Sequence, residues 1–412
     1  MSLIHPPAAS AAQPPGRRYD IDALRVLAFG LLIFYHVAMF YVAGWHWHVK
    51  SAYQAEWLHY PMLLLNQWRL ELLFAISGLA VHFLLGKLGP GAFARARIKR
   101  LLVPLLFGMA VVVPPQAWFQ ALSNGSFNGG YGQFLWQYFT FQPWPRDAFD
   151  GSAYGFTWNH LWYLPYLIFF TLAFLPLCVW LNRGGAPLLA RMRRLRGLWL
   201  VLAPVLPMFF CGLVIFPLFP DQTHALYNDW YWNALYGLCF FYGFVIGRDT
   251  ALWAEIGRLR RRTLALAILT FASYLTLGDV LAYDGATATQ NAAFMFVLYL
   301  NRWAWILVAL GWGYAYLNRP SKLLTYANEA VYPWYILHQT VIVVAGYELS
   351  KLALGPVLEP VALLAITIGA TWMLHEFVIR RTRWLRPLFG LKAMRKAQAP
   401  TVPVRVAAED VQ

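Results

Sequence analysis

An all-α fold, a polytopic bundle of about ten transmembrane helices, is the class this sequence predicts. Three observations predict it. Of its 412 residues, 60% are hydrophobic and only 12% are charged, too few charges for the surface of a soluble domain. The apolar residues run in continuous blocks of about 20, the length that crosses a bilayer, and lack the ten-residue alternation of a β-barrel. Lys and Arg gather at alternate ends of successive blocks, as the positive-inside rule requires.

The ten expected spans lie at about 21–43, 61–86, 101–120, 159–181, 197–219, 229–247, 263–283, 291–317, 329–349 and 359–379. With the N-terminus in the cytoplasm, 27 of the 33 Lys+Arg residues fall on the cytoplasmic side. Lys50, Arg146 and Lys351 are external, and Arg25, Arg69 and Arg302 lie inside spans. Both termini are then cytoplasmic. This asymmetry accounts for the net charge of +15, with the anionic headgroups of the lipid bilayer as counterpart; no nucleic-acid partner is needed. Residues 1–18 are proline-rich, lack the pattern of a cleaved signal peptide and read as a disordered cytoplasmic start. Residues 19–390 read as one transmembrane domain, and 391–412 as a disordered cytoplasmic tail. Cys178, Cys211 and Cys239 sit in apolar stretches and suit packing better than a disulfide framework.

The first span, "YDIDALRVLAFGLLIFYHVAMFY", carries Asp22, Arg25 and His36. An ionisable group at membrane depth costs roughly 2.5–3.5 kcal/mol and marks a functional site by default. Eleven helical steps return to the same face, so Arg25 and His36 share one side, about 16 Å apart along the axis. Asp22 is three residues from Arg25 and within reach of it. "GWHWHVK" alternates His46 and His48; an interfacial aromatic patch explains it better than a metal site, which needs more ligands, and no metal is expected. In the first cytoplasmic loop, "RARIKR" puts Arg97 and Arg100 on one helical face with Lys99 beside them. Paired guanidinium forks hold phosphate oxygens, although topology alone makes such a loop basic.

The second span places Arg69 and Glu71 before "FAISG", near mid-membrane, where the plainer role is a buried ion pair. The long external loop of 121–158 mixes glycine, amides and aromatics. Those aromatics suit sugar stacking or a membrane-interface belt equally. Span four opens on "NHLWYL" with Asn159, His160 and Trp162. Span eight contains Arg302. Span nine contains His338 and Gln339, and span ten ends on His375 and Glu376. So many polar groups at depth predict a hydrated cavity between helices. Walker-type phosphate loops, a GxSxG elbow and a zinc HExxH helix are all missing from the sequence.

In combination these residues resemble the integral-membrane acyltransferase family 3 over about 20–390. The family pattern of an arginine, ten residues and a histidine is met by Arg25 and His36. Its Arg-x-x-Arg loop is met by Arg97 and Arg100, and its acidic residue before an aromatic "SG" stretch by Glu71, Ser77 and Gly78. Its His-Leu-Trp opening of a later span is met by His160, Leu161 and Trp162. "WHVKSA" and "HLWYL" are similar to the branch that succinylates osmoregulated periplasmic glucans. The resemblance implies a multi-pass protein of the bacterial inner membrane. It would move an acyl group, of acetyl or succinyl type, from cytoplasmic acyl-CoA to a hydroxyl of an external glycan or similar acceptor. Acyl-CoA is then a substrate, and no cofactor is held permanently. His36 and Glu71 become the expected catalytic residues. Asp22, Arg25, Arg97, Lys99, Arg100, His160, Trp162 and His338 become the expected substrate contacts. A proton-coupled secondary transporter is the competing reading, since buried charges at depth suit it too.

Overall fold

The computed structural model of the protein describes residues 17–284 and 287–393. The expected disordered ends, 1–18 and 391–412, lie mostly outside the described residues. Among the described residues the fold is helical, with one isolated bridge between Val42 and Ala55.

Each expected span coincides with a helix or a broken helix. α1 (Tyr19–Tyr41) leads through a loop to α2 (His59–Asn66) and α3 (Arg69–Leu85). α4 (Pro90–Phe107) passes through a π turn at Gly108–Val112 into α5 (Pro114–Ser123). The short α6 (Tyr131–Phe139) belongs to the 121–158 loop. Then come α7 (Tyr163–Leu181), α8 (Ala186–Arg193), α9 (Gly197–Val214) and α10 (Trp230–Ile246). The hairpin of α11 (Thr250–Asp284) and α12 (Ala288–Tyr316) precedes α13 (Lys322–Leu349), α14 (Gly355–Met373) and the one-turn α15 (Leu385–Leu388). Six elements are long and apolar enough to cross a bilayer, and a seventh if Pro90–Val112 and Pro114–Ser123, bent by 40°, form one span. The remaining expected spans, α10, α11 and α13, are shorter or more polar.

Lipid tails are as apolar as leucine, so close packing, not burial from water, must hold such helices together. α3 and α10 show how. Gly78 of α3 lies against the carbonyl of Phe240, and Gly243 of α10 against the carbonyl of Ala75. A Cβ at either position would fall inside a backbone atom that cannot move aside. Around this contact Phe74, Tyr166, Phe170, Tyr236 and Phe240 form a buried aromatic core. Phe74 stacks on Tyr236 at 4.6 Å between ring centroids. α1 packs between α12 and α13, which brings the polar stripe of the first span against that of the ninth.

Candidate active site

Two arginines open the site at its basic end. A cavity of about 660 Å³ lies between α1, α3, α4, α7 and α13. Cations crowd its mouth: Arg17, Arg18, Lys87, Arg97, Arg100, Arg248 and Lys392, with Arg25 further in. Arg25 donates to Asp22 at 3.4 Å and to Asn328 at 3.2 Å, so the pairing expected from the i, i+3 spacing is present. Arg97 keeps Nε and one Nη buried without a partner, while its neighbour Arg100 is exposed. Two arginines with free donors in a concave wall can clamp an anionic group. Lys99 differs from the expectation. It is exposed and does not line the cavity, because residue 99 falls on the helix face turned away from positions 97 and 100.

The inner wall is made of Phe29, Ser77, Tyr163 and Tyr335. Tyr163 donates to the Leu73 carbonyl at 3.0 Å and so receives the Ser77 hydroxyl at 2.9 Å. The serine of the "FAISG" stretch thereby ties α3 to α7. Tyr335 donates to the His160 carbonyl at 2.7 Å.

Beyond this wall His36 meets His338. Their rings are parallel within 5°, and His36 Nδ1 lies 2.8 Å from His338 Nε2. The proton positions follow from the partners. His338 Nδ1 faces the carbonyls of Tyr335 at 2.7 Å and Trp334 at 3.2 Å. Carbonyls only accept, so His338 Nδ1 carries the hydrogen and its Nε2 keeps a lone pair. His36 Nδ1 must then donate to that lone pair, which leaves His36 Nε2 as an unoccupied acceptor. His338 is fully buried, whereas His36 retains some exposure beside Trp47 of the loop that follows α1. A neutral imidazole with a fixed tautomer and one free nitrogen is equipped to take a proton.

A second polar cluster backs the pair. His160 Nε2 donates to the Ile336 carbonyl at 3.0 Å, and its Nδ1 receives Gln116 at 3.3 Å. His48 Nδ1 donates to Gln120 Oε1 at 2.8 Å, and its Nε2 receives Gln339 at 2.7 Å. Gln120 in turn donates to Asp150 at 2.9 Å. His160, in the turn that leads into α7, thus has both nitrogens engaged in tying that turn to α5 and α13, with none free for a substrate. Trp162 packs into the aromatic core and stacks on His224 at 4.4 Å.

Glu71 stands apart from the histidines. It is 1% exposed and pairs with Arg302 of α12, the ion-pair role rather than a place beside His36. Gln116, Gln120, Asp150 and Tyr163 were not among the expected site residues. A glutamine pair four apart in an otherwise apolar helix, Gln116 and Gln120, was the signal that could have found the cluster. His46 and His48 do not assemble a metal site, and the described residues contain no cluster of metal-ligating side chains.

The bundle thus holds a cation-lined cavity on one side of an aromatic wall and a tautomer-fixed histidine pair on the other. The model of the acyltransferase domain (Acyl_transf_3) matches residues 18–376, and the chain belongs to that family. It is therefore a multi-pass membrane acyltransferase. Among curated proteins it is similar to glucans biosynthesis protein C of Escherichia coli strain K12, 24% identical over 415 residues, which cover 95% of this chain and 99% of that protein. The protein of the same name from Escherichia coli O6:K15:H31 is 23% identical over 418 residues, 95% of this chain and 99% of its own length. No solved structure shows a significant match.

Proposed function

We propose that the protein transfers an acyl group, of acetyl or succinyl type, from cytoplasmic acyl-CoA to a hydroxyl of an extracytoplasmic glycan. The observation that carries this reading is the placing of two chemically different groups along one bundle: free arginine donors at the mouth of the cavity and an unoccupied imidazole nitrogen on the far side of its inner wall. Arg97 and Arg100 hold donor phosphates, and Arg25, oriented by Asp22 and Asn328, draws the thioester inward. His36 Nε2 accepts the proton of the acceptor hydroxyl as its oxygen attacks the thioester carbonyl. The carbon–sulfur bond then breaks, and the imidazolium returns the proton to the departing thiolate, so that ester and free CoA leave. His338 keeps the tautomer correct throughout by accepting from His36 Nδ1. The names of the similar proteins favour a glucan as the acceptor. Membership of an acyltransferase family sets the transporter reading aside.

A crossed experiment tests the assignment. Purified protein in lipid nanodiscs is given labelled acyl-CoA and a linear glucan oligosaccharide. His36→Ala should lose acyl transfer by roughly 10²–10⁴-fold, the usual worth of a positioned acid–base group, with CoA affinity intact. Arg97→Ala with Arg100→Ala should do the reverse, weakening CoA binding, with the difference from wild type greatest at low salt, where exposed charges are least screened. His36→Ala turnover within a few-fold of wild type would overturn the catalytic role.

A further inference from the structure

We infer that a second cavity at the basic end of the bundle is a binding site for the phosphate of an anionic lipid headgroup. The inference rests on this cavity alone and stands whether or not the acyl-transfer reading holds.

The first observation is charge without a counter-charge. The cavity measures about 380 Å³, inside the range of roughly 300–1,000 Å³ for small-molecule sites. It lies between the C-terminal ends of α3 and α7, the turn at 86–89 and the turn that follows α10. Lys87, Arg183 and Arg248 line it, and no aspartate or glutamate does. Among the described residues none of these three cations has a carboxylate within ion-pair distance. The bias of basic residues to one end of each span explains why cations are there. It does not explain why they surround one hollow with no acid among them.

The second observation is that the wall is built from fixed donors. Arg193 of α8 gives Nε to the Val245 carbonyl at 2.7 Å and turns Nη2 to His82 Nδ1 at 3.5 Å. A guanidinium has only hydrogens to give, so His82 Nδ1 accepts and Nε2 carries the ring hydrogen. His82 lines the cavity. Gly247 permits this approach. Its φ is +45°, and an added Cβ would stand 2.7 Å from Arg193 Nη2 and 2.8 Å from the His82 ring. Arg248, next in the chain, lies over the Phe83 ring at 4.7 Å, which holds its guanidinium at the wall. α4 also begins here. Gly89 and Pro90 belong to the wall, and no side chain caps the first turn, so its free N–H groups add positive potential.

The third observation selects a lipid. Leu85, Leu88 and Val179 share the wall with the cations, and Leu177 and Trp180 of α7 are exposed beside Val179. A soluble anion needs only the charges. A phospholipid uses both surfaces, its phosphate among the guanidinium groups and its glycerol and acyl chains on the apolar neighbours. Basic pockets between membrane helices take anionic headgroups in this way. Phe83, Lys87 and Arg248 also wall the larger cavity, so a phosphate bound here draws two cations from that mouth.

The test titrates purified full-length protein in dodecylmaltoside with phosphatidylglycerol or phosphatidylcholine and reads binding from the thermal midpoint. Phosphatidylglycerol should stabilise wild type, and phosphatidylcholine should not. Arg183→Gln should weaken phosphatidylglycerol binding about fivefold, the usual worth of one basic residue at an anionic lipid. Arg183→Glu should weaken it further. Arg183 is exposed and lines only this cavity, so neither change disturbs the core. Arg261→Glu makes the same charge change at an exposed residue that lines neither cavity, and it should bind as wild type. Wild-type affinity in Arg183→Glu would overturn the proposal. So would an equal loss in Arg261→Glu, which would reduce the effect to diffuse attraction. Inorganic phosphate is the separate arm. An Arg183-dependent shift with phosphate and none with phosphatidylglycerol would overturn the lipid and assign the cavity to a soluble phosphate.

Discussion

His338 decides what His36 can do. Two carbonyls hold its hydrogen on Nδ1, so Nε2 can only accept, and His36 is left with its reactive nitrogen free. Removing the acceptor frees the other tautomer, in which the wrong nitrogen carries the lone pair. His338→Phe, which keeps a ring of similar size, should therefore lower kcat by about 10–100-fold, the usual cost of losing an orienting partner, with the KM for acyl-CoA unchanged. His338→Gln offers an amide oxygen to His36 and should restore part of kcat. Steady-state kinetics decide, because a change confined to donor KM would make His338 a substrate contact. In the loop between α9 and α10, His224 stacks on Trp162, and burial lowers its pKa to about 4 from a free value near ~6.5. Between those values the unfolded chain binds a proton that the folded chain refuses. Its contribution to stability is thus intact above pH ~6.5 and is lost as the pH falls toward 4. The thermal midpoint of wild type should drop across that window, and the drop should be smaller in His224→Phe, which keeps the stack without the proton site. Parallel pH slopes would clear His224 of the effect.

At the level of helices, α3 and α10 are joined backbone to backbone through Gly78 and Gly243. Alanine at either place drives a methyl group into a carbonyl, so the two helices must part. Gly78→Ala and Gly243→Ala should each abolish monodisperse protein on size-exclusion chromatography. Gly369→Ala in α14, where nothing lies within 4 Å of the added carbon, should elute as wild type. This contact was not legible in the sequence, because nothing in "ISGLA" points to "FYGFV" across the bundle. The membrane-length helices were legible, since each contains a continuous apolar run. So was the shared face of Arg25 and His36, which follows from the fixed 100° advance per residue. Breaks inside helices were harder to foresee. The interruption at Gln67–Trp68 and the π turn before Pro114 are resolved only by what neighbouring helices leave room for. α11 also begins at Thr250, well before the expected 263, because its basic first turns are as good helix formers as the apolar run that follows.

For the molecule as a whole, the site was legible in its pieces and not in its wiring. Arg25, Arg97, Arg100 and His36 stood out as polar residues at fixed spacings. The cluster of His48, Gln116, Gln120, Asp150 and Gln339 joins residues as much as 291 positions apart, and no local pattern encodes such pairs. The basic partition predicts a topology: 87–100 on the cytoplasmic side and 121–158 outside. Single cysteines placed at positions 128 and 150 should react with a membrane-impermeant maleimide from the outside, and a cysteine at 95 only after permeabilisation. The opposite pattern would invert the orientation.

The row of guanidinium groups from the cavity mouth to the histidine pair also bears on the membrane's own integrity. A passage deep enough to hand a chemical group from one face of a bilayer to the other is a hazard to any ion gradient stored across it. Fixed positive charge along such a passage raises the barrier for hydronium and metal cations, the device by which aquaporin-type pores exclude them. Arg25 and Arg97 line the cavity, and Arg97 keeps buried donors without a partner, so their charge would raise that barrier while the cavity is vacant. A phosphate-bearing substrate lowers the positive field, but it also fills the space. The charges that would admit the donor would therefore keep the empty protein from short-circuiting an energised membrane.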